Sequence, residues 1–369
     1  MHVLLLTDSI FAVRERALLL RLELGLVGEG VRVSVAAPTE VVGRPEFDIL
    51  GAPVSYRAGS LSITRRMRAS RLARDLAGGA ASDKGAPVDL VHVFGGAAWG
   101  MGVELCRMWE VPLVLELWRL GLVDRARSVA GSMREPPVLI APDPAIERAA
   151  LRDARGAVVR LVPWGAQPRP EQHEILNESR APAIVLVGFG RDEVSSARAF
   201  EGIAQVMDVH KDALLFVDSD AATRLGVWKR AARLGIRERV SLIARLEDRR
   251  DLVLRADVIV HPDARGEQRS LLLDAMASSM VVVATEDRAV GALVDGQTAR
   301  LVPSGATPGM WAETLTNVLE NREAARALGV SARAFARSKH RVSAHVSGVL
   351  DVYEWTVGRK AMAFRAGTG

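Results

Sequence analysis

The sequence predicts an α/β protein made of two doubly wound domains, each with a mostly parallel sheet. Three observations carry this. The chain has 369 residues, more than one ordinary core accommodates. Strand-length apolar runs alternate with helix-period segments from start to finish. A polar, proline-containing stretch at 166–182 divides that alternation into two blocks.

Residues 2–7 form a short apolar run that stops at Asp8. It lacks a basic start and is strand-length, so it reads as a first strand and not as a secretory leader. Residues 14–27 carry Ala17, Leu18, Leu20, Leu22, Leu24 and Leu26 at helical spacing and end near Gly28 and Gly30. Residues 31–36 are then a second strand. Such a strand–helix–strand unit is a right-handed crossover in a parallel sheet. The pattern repeats with a helix at 61–77, a small-residue loop at 78–85, a strand at 89–94 and a helix at 99–109. Strands follow at 112–117, 137–141 and 158–162, with a helix at 145–154. The second block opens with a strand at 183–188. Further strands are expected at 213–218, 239–243, 258–261, 281–285 and 299–302, and helices at 221–234, 248–256, 271–278, 308–320 and 323–339. The expected organisation is a first domain over 1–165, a linker over 166–182 and a second domain over 183–340. A helix at 341–357, packing back on the first domain, and a tail at 358–369 complete it. Ligands in such sheets sit at the carboxyl ends of the strands, and two sheets facing each other would make an interdomain cleft.

Composition removes several function classes. The net charge of +5 comes almost wholly from arginine and is too small to signal nucleic-acid binding. Arg65, Arg66, Arg68, Arg71 and Arg74 crowd one helix, which reads as a solvated face, with a patch for anionic lipid or acceptor as the alternative. No run reaches the length of a membrane span, so a soluble, cytoplasmic protein with at most peripheral membrane contact is expected. The single cysteine, Cys106, excludes an intramolecular disulfide and reads as an inert buried thiol. No cysteine–histidine cluster suggests zinc. Asp218 and Asp220 at a strand end do not make a metal site, and none is expected. Gly188 and Gly190 begin a dinucleotide-type glycine pattern that no third glycine completes, so NAD and other cofactors are not expected.

The stretch 256–303 carries the most chemistry. A buried strand ends in His261-Pro262, a polar loop holds Arg265, Gly266, Glu267, Gln268 and Arg269, and a helix opens at Ser270-Leu271-Leu272-Leu273-Asp274-Ala275-Met276-Ala277. Val281-Val282-Val283-Ala284-Thr285, Val294-Asp295-Gly296 and Leu301-Val302-Pro303 follow. A helix start presents free N–H groups and a positive dipole end, which suit a nucleotide diphosphate. A carboxylate one turn further in suits ribose hydroxyls. In its order and spacing this stretch resembles the family-4 glycosyltransferases, of the GT-B fold. That fold consists of two facing Rossmann-like domains, and the likeness runs along most of the chain.

The resemblance implies a hexosyltransferase-type enzyme that moves a sugar from a nucleotide-activated donor to an acceptor with retention, without an obligatory metal. The acceptor, a glycan, lipid or small molecule, is not specified. Asp274 stands where the family has its second glutamate. The family's first glutamate falls at Gly266, with Glu267 one residue late, so Glu267 is the candidate catalytic carboxylate. Where the family holds the diphosphate with arginine and lysine, this chain has Phe189 and Val194, and Arg191 is displaced by two residues. The implied donor-binding set is Gly188, Gly190, Arg191, Arg265, Arg269, Ser270, Leu271 and Asp274. In the first domain, Asp8-Ser9-Ile10-Phe11 occupies the place of the family's Gly-Gly turn, and Trp118 that of a cleft histidine. His92 either lines the cleft as a catalytic group or is a half-buried structural histidine. Residues 161–165 resemble the family's interdomain hinge. The displaced charges keep a second reading open, a GT-B scaffold that binds a sugar nucleotide or a protein partner without transfer. A sugar-nucleotide epimerase is a third.

Overall fold

The structure, a computed structural model, describes residues 1–42, 53–59, 62–78, 87–154, 156–168, 174–188 and 192–367. The chain divides into two units, Met1–Gly165 with Val342–Gly369, and Ala166–Arg341.

The first unit is a seven-stranded sheet of β1 (His2–Thr7), β2 (Arg32–Pro38), β3 (Val54–Tyr56), β4 (Leu90–Phe94), β5 (Leu113–Glu116), β6 (Val138–Ala141) and β7 (Val158–Leu161), in the order β3-β2-β1-β4-β5-β6-β7. Every pairing is parallel, with Leu5 opposite both Val35 and His92. Helices cover both faces of a parallel sheet, so its strands read as continuous apolar runs. β4 is buried at every residue for that reason. The strand order reverses direction between β1 and β4, which makes their carboxyl ends the switch point.

Sequence periodicity and structure part company at a few places. The helix expected over 14–27 runs over Arg16–Gly28, and a separate helix, Ser9–Arg14, precedes it, capped by the Asp8 carboxylate on the Phe11 N–H at 2.8 Å. The short edge strand β3 and the Val123–Ser132 helix lie where sequence periodicity is weak. The last helix runs over Val342–Gly367, past the expected tail boundary, and packs against the Arg16–Gly28 helix. Gly25 is required there, since a Cβ would fall 2.3 Å from a Val346 methyl.

The second unit is a six-stranded parallel sheet of β8 (Ala183–Leu186), β9 (Leu214–Asp218), β10 (Val240–Ile243), β11 (Val258–His261), β12 (Val281–Thr285) and β13 (Arg300–Val302), ordered β10-β9-β8-β11-β12-β13. Its switch point lies between β8 and β11, where Ile184 stands opposite both Leu215 and Val258. The expected helix over 221–234 breaks at Gly226, whose φ of 59° places it in the left-handed region that glycine tolerates.

Part of the stretch expected as a linker is built into this second unit. Ile175 and Leu176 belong to its apolar core. Arg326 donates to the carbonyls of Ile175 (3.1 Å) and Leu176 (3.0 Å). Asp257, fully buried ahead of β11, accepts from the N–H groups of Leu176 (2.6 Å) and Ala183 (2.8 Å) and pairs with Arg180. A buried carboxylate needs such donors.

Candidate functional site

In the second unit the candidate site is the carboxyl edge of β8 and β11. Gly188 follows β8, and a Cβ there would lie 3.5 Å from the Asp263 carboxylate. Asp263 follows β11, is buried, and has one carboxylate oxygen without a hydrogen-bond partner among the described residues. The loop from Asp263 to Arg269 turns at Gly266, with φ at 63° and its N–H donated to Asp287 at 2.5 Å. The same Asp287 accepts from the Ala289 N–H at 3.0 Å, so two loops are fixed together. The turn exposes Arg265 and buries Glu267. Arg265 contributes to holding the Asp192 carboxyl below its usual range, behind the larger effect of the Ser195 N–H that Asp192 caps.

The Ser270–Ala277 helix starts immediately after this loop and has no side-chain cap at Arg269. Its first turn is embedded in an ion-pair network. Arg250 donates to Asp274 at 2.6 Å, to Glu247 at 2.8 Å and to the Ser270 hydroxyl at 2.8 Å. Arg269 pairs with the other Glu247 oxygen. The second Asp274 oxygen accepts the Gln167 N–H at 2.8 Å. All of these side chains are nearly or wholly buried.

The sequence-predicted donor residues therefore separate by environment. Gly188, Arg265, Ser270, Leu271 and Asp274 do gather at one edge of the second sheet, with Glu267 between them. Gly190 and Arg191 lie outside the described residues. Arg269 points into the unit and neutralises Glu247, so its charge is committed internally and does not fit the diphosphate role expected of it. Asp274 is likewise engaged on both oxygens by protein donors, in place of the expected ribose contact. Glu267, the candidate catalytic carboxylate, is buried. Sequence pattern does not single out Glu247, Arg250, Asp263 or Asp287. The three-residue spacing of Glu247 and Arg250 is compatible with a helical ion pair, but Asp274 is far from it in the chain.

In the first unit His92 is fully buried, not half-buried. Its Nδ1 lies 2.7 Å from the Tyr353 hydroxyl and its Nε2 3.3 Å from Glu116, whose other oxygen accepts from Trp164 Nε1 at 2.6 Å. Burial lowers the His92 pKa, and Glu116 offsets only part of this. These contacts tie the last helix to the sheet and make His92 a core residue of that unit. Trp118 is buried against Phe11, with Arg14 and Arg119 over its ring at 5.6 and 5.3 Å. Cys106 is free and buried. Among the described residues no group of three metal-ligating side chains converges, and no helix is long and apolar enough to cross a membrane. Asp218 caps a helix, accepting from the Asp220, Ala221 and Leu246 N–H groups.

Two doubly wound parallel sheets in this order define the GT-B fold, and solved structures superpose over nearly the whole chain. The sucrose-phosphate synthase of Thermosynechococcus elongatus superposes with a TM-score of 0.74 at 15% identity, covering 98% of this chain and 99% of that one. Anabaena Alr3699/HepE in complex with UDP-glucose gives 0.72 at 14% identity, over 95% and 99% of the two chains. WaaG, a glycosyltransferase involved in lipopolysaccharide biosynthesis, gives 0.66 at 16%, over 97% and 100%. Within the fold, residues 199–321 match the family described as glycosyl transferases group 1. That segment contains the Asp263–Asp274 edge of the second sheet. No curated protein matches the sequence.

Proposed function

We propose that this protein is a glycosyltransferase that takes a sugar from a nucleotide-activated donor and transfers it with retention. The observation that carries the reading is the coincidence of two independent features. The group 1 family match at residues 199–321 falls on the same sheet edge where Gly188, the Arg265–Glu267 turn and the uncapped Ser270 helix start converge at a switch point. Anabaena Alr3699/HepE, of the same fold, holds UDP-glucose, which supports a nucleotide sugar as the donor here.

In this reading the first N–H groups of the Ser270–Ala277 helix and the exposed Arg265 receive the diphosphate. Their positive charge stabilises the leaving nucleotide as the glycosidic bond breaks. Glu267 stands two residues after Arg265 on the inner side of the same turn and is the carboxylate available to the sugar. Asp274 and Arg250 act one step back, fixing the helix start. The acceptor belongs to the first unit.

One observation favours the second reading, a scaffold that binds a sugar nucleotide without transfer. Arg269 and Asp274 are both spent on internal ion pairs, which leaves the diphosphate fewer cations.

The test is release of free nucleoside diphosphate from a panel of nucleotide sugars, with and without candidate acceptors. Turnover that falls at least tenfold in Arg265→Ala, with unchanged thermal unfolding, supports the enzyme. Arg265 suits the test because its side chain is exposed. Saturable binding of a nucleotide sugar with no turnover across the panel would establish the scaffold instead.

A further inference from the structure

The carboxyl edge of the first sheet carries a second constellation that the donor site does not use. After β4 the chain turns at Gly95, with φ at 87°, where a Cβ would fall 2.2–2.4 Å from the Asp8 carboxylate. One Asp8 oxygen accepts the Phe11 N–H at 2.8 Å and the other the Ala97 N–H at 3.0 Å. Asp8 thus fastens β1 to β4 and spends both oxygens on backbone.

Around that fastening stand two arginines from separate elements. Arg65, on the Ser62–Gly78 helix, lies against Gly100, where a Cβ would be 2.8 Å from its guanidinium carbon. Arg125, on the Val123–Ser132 helix, lies over the Trp99 ring at 5.9 Å and 3.7 Å from where a Gly96 Cβ would be. The Trp99–Trp109 helix between them has no side-chain cap. Among the described residues neither arginine forms an ion pair or a hydrogen bond. Burial lowers the Arg125 pKa most, Arg65 lowers it next, and Asp8 only partly compensates.

Two guanidinium groups brought to one sheet edge repel, and an anion between them would replace that repulsion with charge-assisted hydrogen bonds. Glycine at both 96 and 100 keeps the backbone low beneath them. A carboxylate would balance one of the two charges. A phosphate monoester, dianionic and able to accept from two forks at once, balances both. We infer that Arg65 and Arg125, over the glycine-flanked start of the Trp99 helix, bind a phosphate monoester carried by the acceptor. The link to an acceptor rests on the proposed glycosyl transfer; the anion site itself does not.

The experiment is calorimetric titration of the full chain with inorganic phosphate, glucose 6-phosphate, gluconate and glucose, in the absence of any donor. Glucose 6-phosphate and phosphate should bind saturably, while gluconate and glucose should not. Arg65→Gln and Arg125→Gln should each weaken glucose 6-phosphate binding about tenfold or more. Arg125→Lys should recover part of it. Nucleotide-sugar affinity and thermal unfolding should stay unchanged in all three variants. Failure of both phosphates to bind, binding of gluconate in preference to them, or undiminished binding in the Arg65→Gln/Arg125→Gln double variant overturns the assignment. Phosphate binding by a chain that transfers no sugar would leave the site standing and remove the glycosyltransferase reading. Transfer to a neutral acceptor without phosphate binding would do the reverse.

Discussion

Replacing Asp274 by alanine should destabilise the second unit and leave the first nearly unaffected. The Asp274 side chain is 3% exposed and accepts Arg250 at 2.6 Å on one oxygen and the Gln167 N–H at 2.8 Å on the other. Removing one partner of a buried ion pair costs about 3–5 kcal/mol, because the other charge is left without compensation. Arg250 keeps Glu247 and Ser270, both at 2.8 Å, so the lower end, about 3 kcal/mol, applies. The Gln167 N–H loses its Asp274 acceptor as well, which holds the figure there. For a unit of roughly 150–250 residues each kcal/mol moves Tm by about 2–4 °C, so a fall of about 6–12 °C is expected. Asp274→Asn, which keeps an acceptor oxygen for Gln167, should fall by about half as much. Scanning calorimetry resolves this if the two units unfold separately. A fall in Asp274→Ala of less than about 2 °C, accompanied by loss of donor binding, would refute the argument. It would mean that the carboxylate serves a ligand and not the helix start.

Two further perturbations follow from the core. Burial holds His92 below its ordinary pKa of 6.5; the unfolded chain therefore takes up a proton near that pH that the folded chain refuses, and His92 should make stability fall as pH drops through 6.5. In denaturant titrations His92→Gln should flatten that slope, leaving a remainder from His2, whose pKa is lowered in the same direction; a slope as steep as the parent's would contradict the buried neutral imidazole. Gly202→Ala, on the Glu193–Val209 helix, should destabilise by about 1–3 kcal/mol in chemical unfolding despite alanine's better helix propensity, because its Cβ would meet Trp311 Cβ at 2.5 Å and the Pro308 carbonyl at 2.7 Å; a gain in stability would show that this helix and the Pro308–Glu320 helix can move apart without cost.

The sequence by itself determined both sheets apart from the edge strand β3, and the likeness to group 1 transferases. Buried parallel strands need apolar residues on both faces, so β11 and β12 stand out as Val-Ile-Val-His and Val-Val-Val-Ala-Thr. Local chemistry also marked the turn before Ser270 and the Pro308 helix start. It did not mark β3 or the Val123–Ser132 helix, where too few apolar positions recur to set a period. Which charges are spent and which are available was decided by the tertiary structure alone. From sequence Asp274 and Arg269 look like ligand-binding groups, because their type and spacing suit a diphosphate site. Folding brings Arg250, Glu247 and the Gln167 N–H onto them, and a buried charge takes whatever partner the fold supplies. Arg65 and Arg125 show the opposite case. In sequence they are two of many arginines, and only the packing of three separate helices at the ends of β1 and β4 brings them to the same edge of the first sheet.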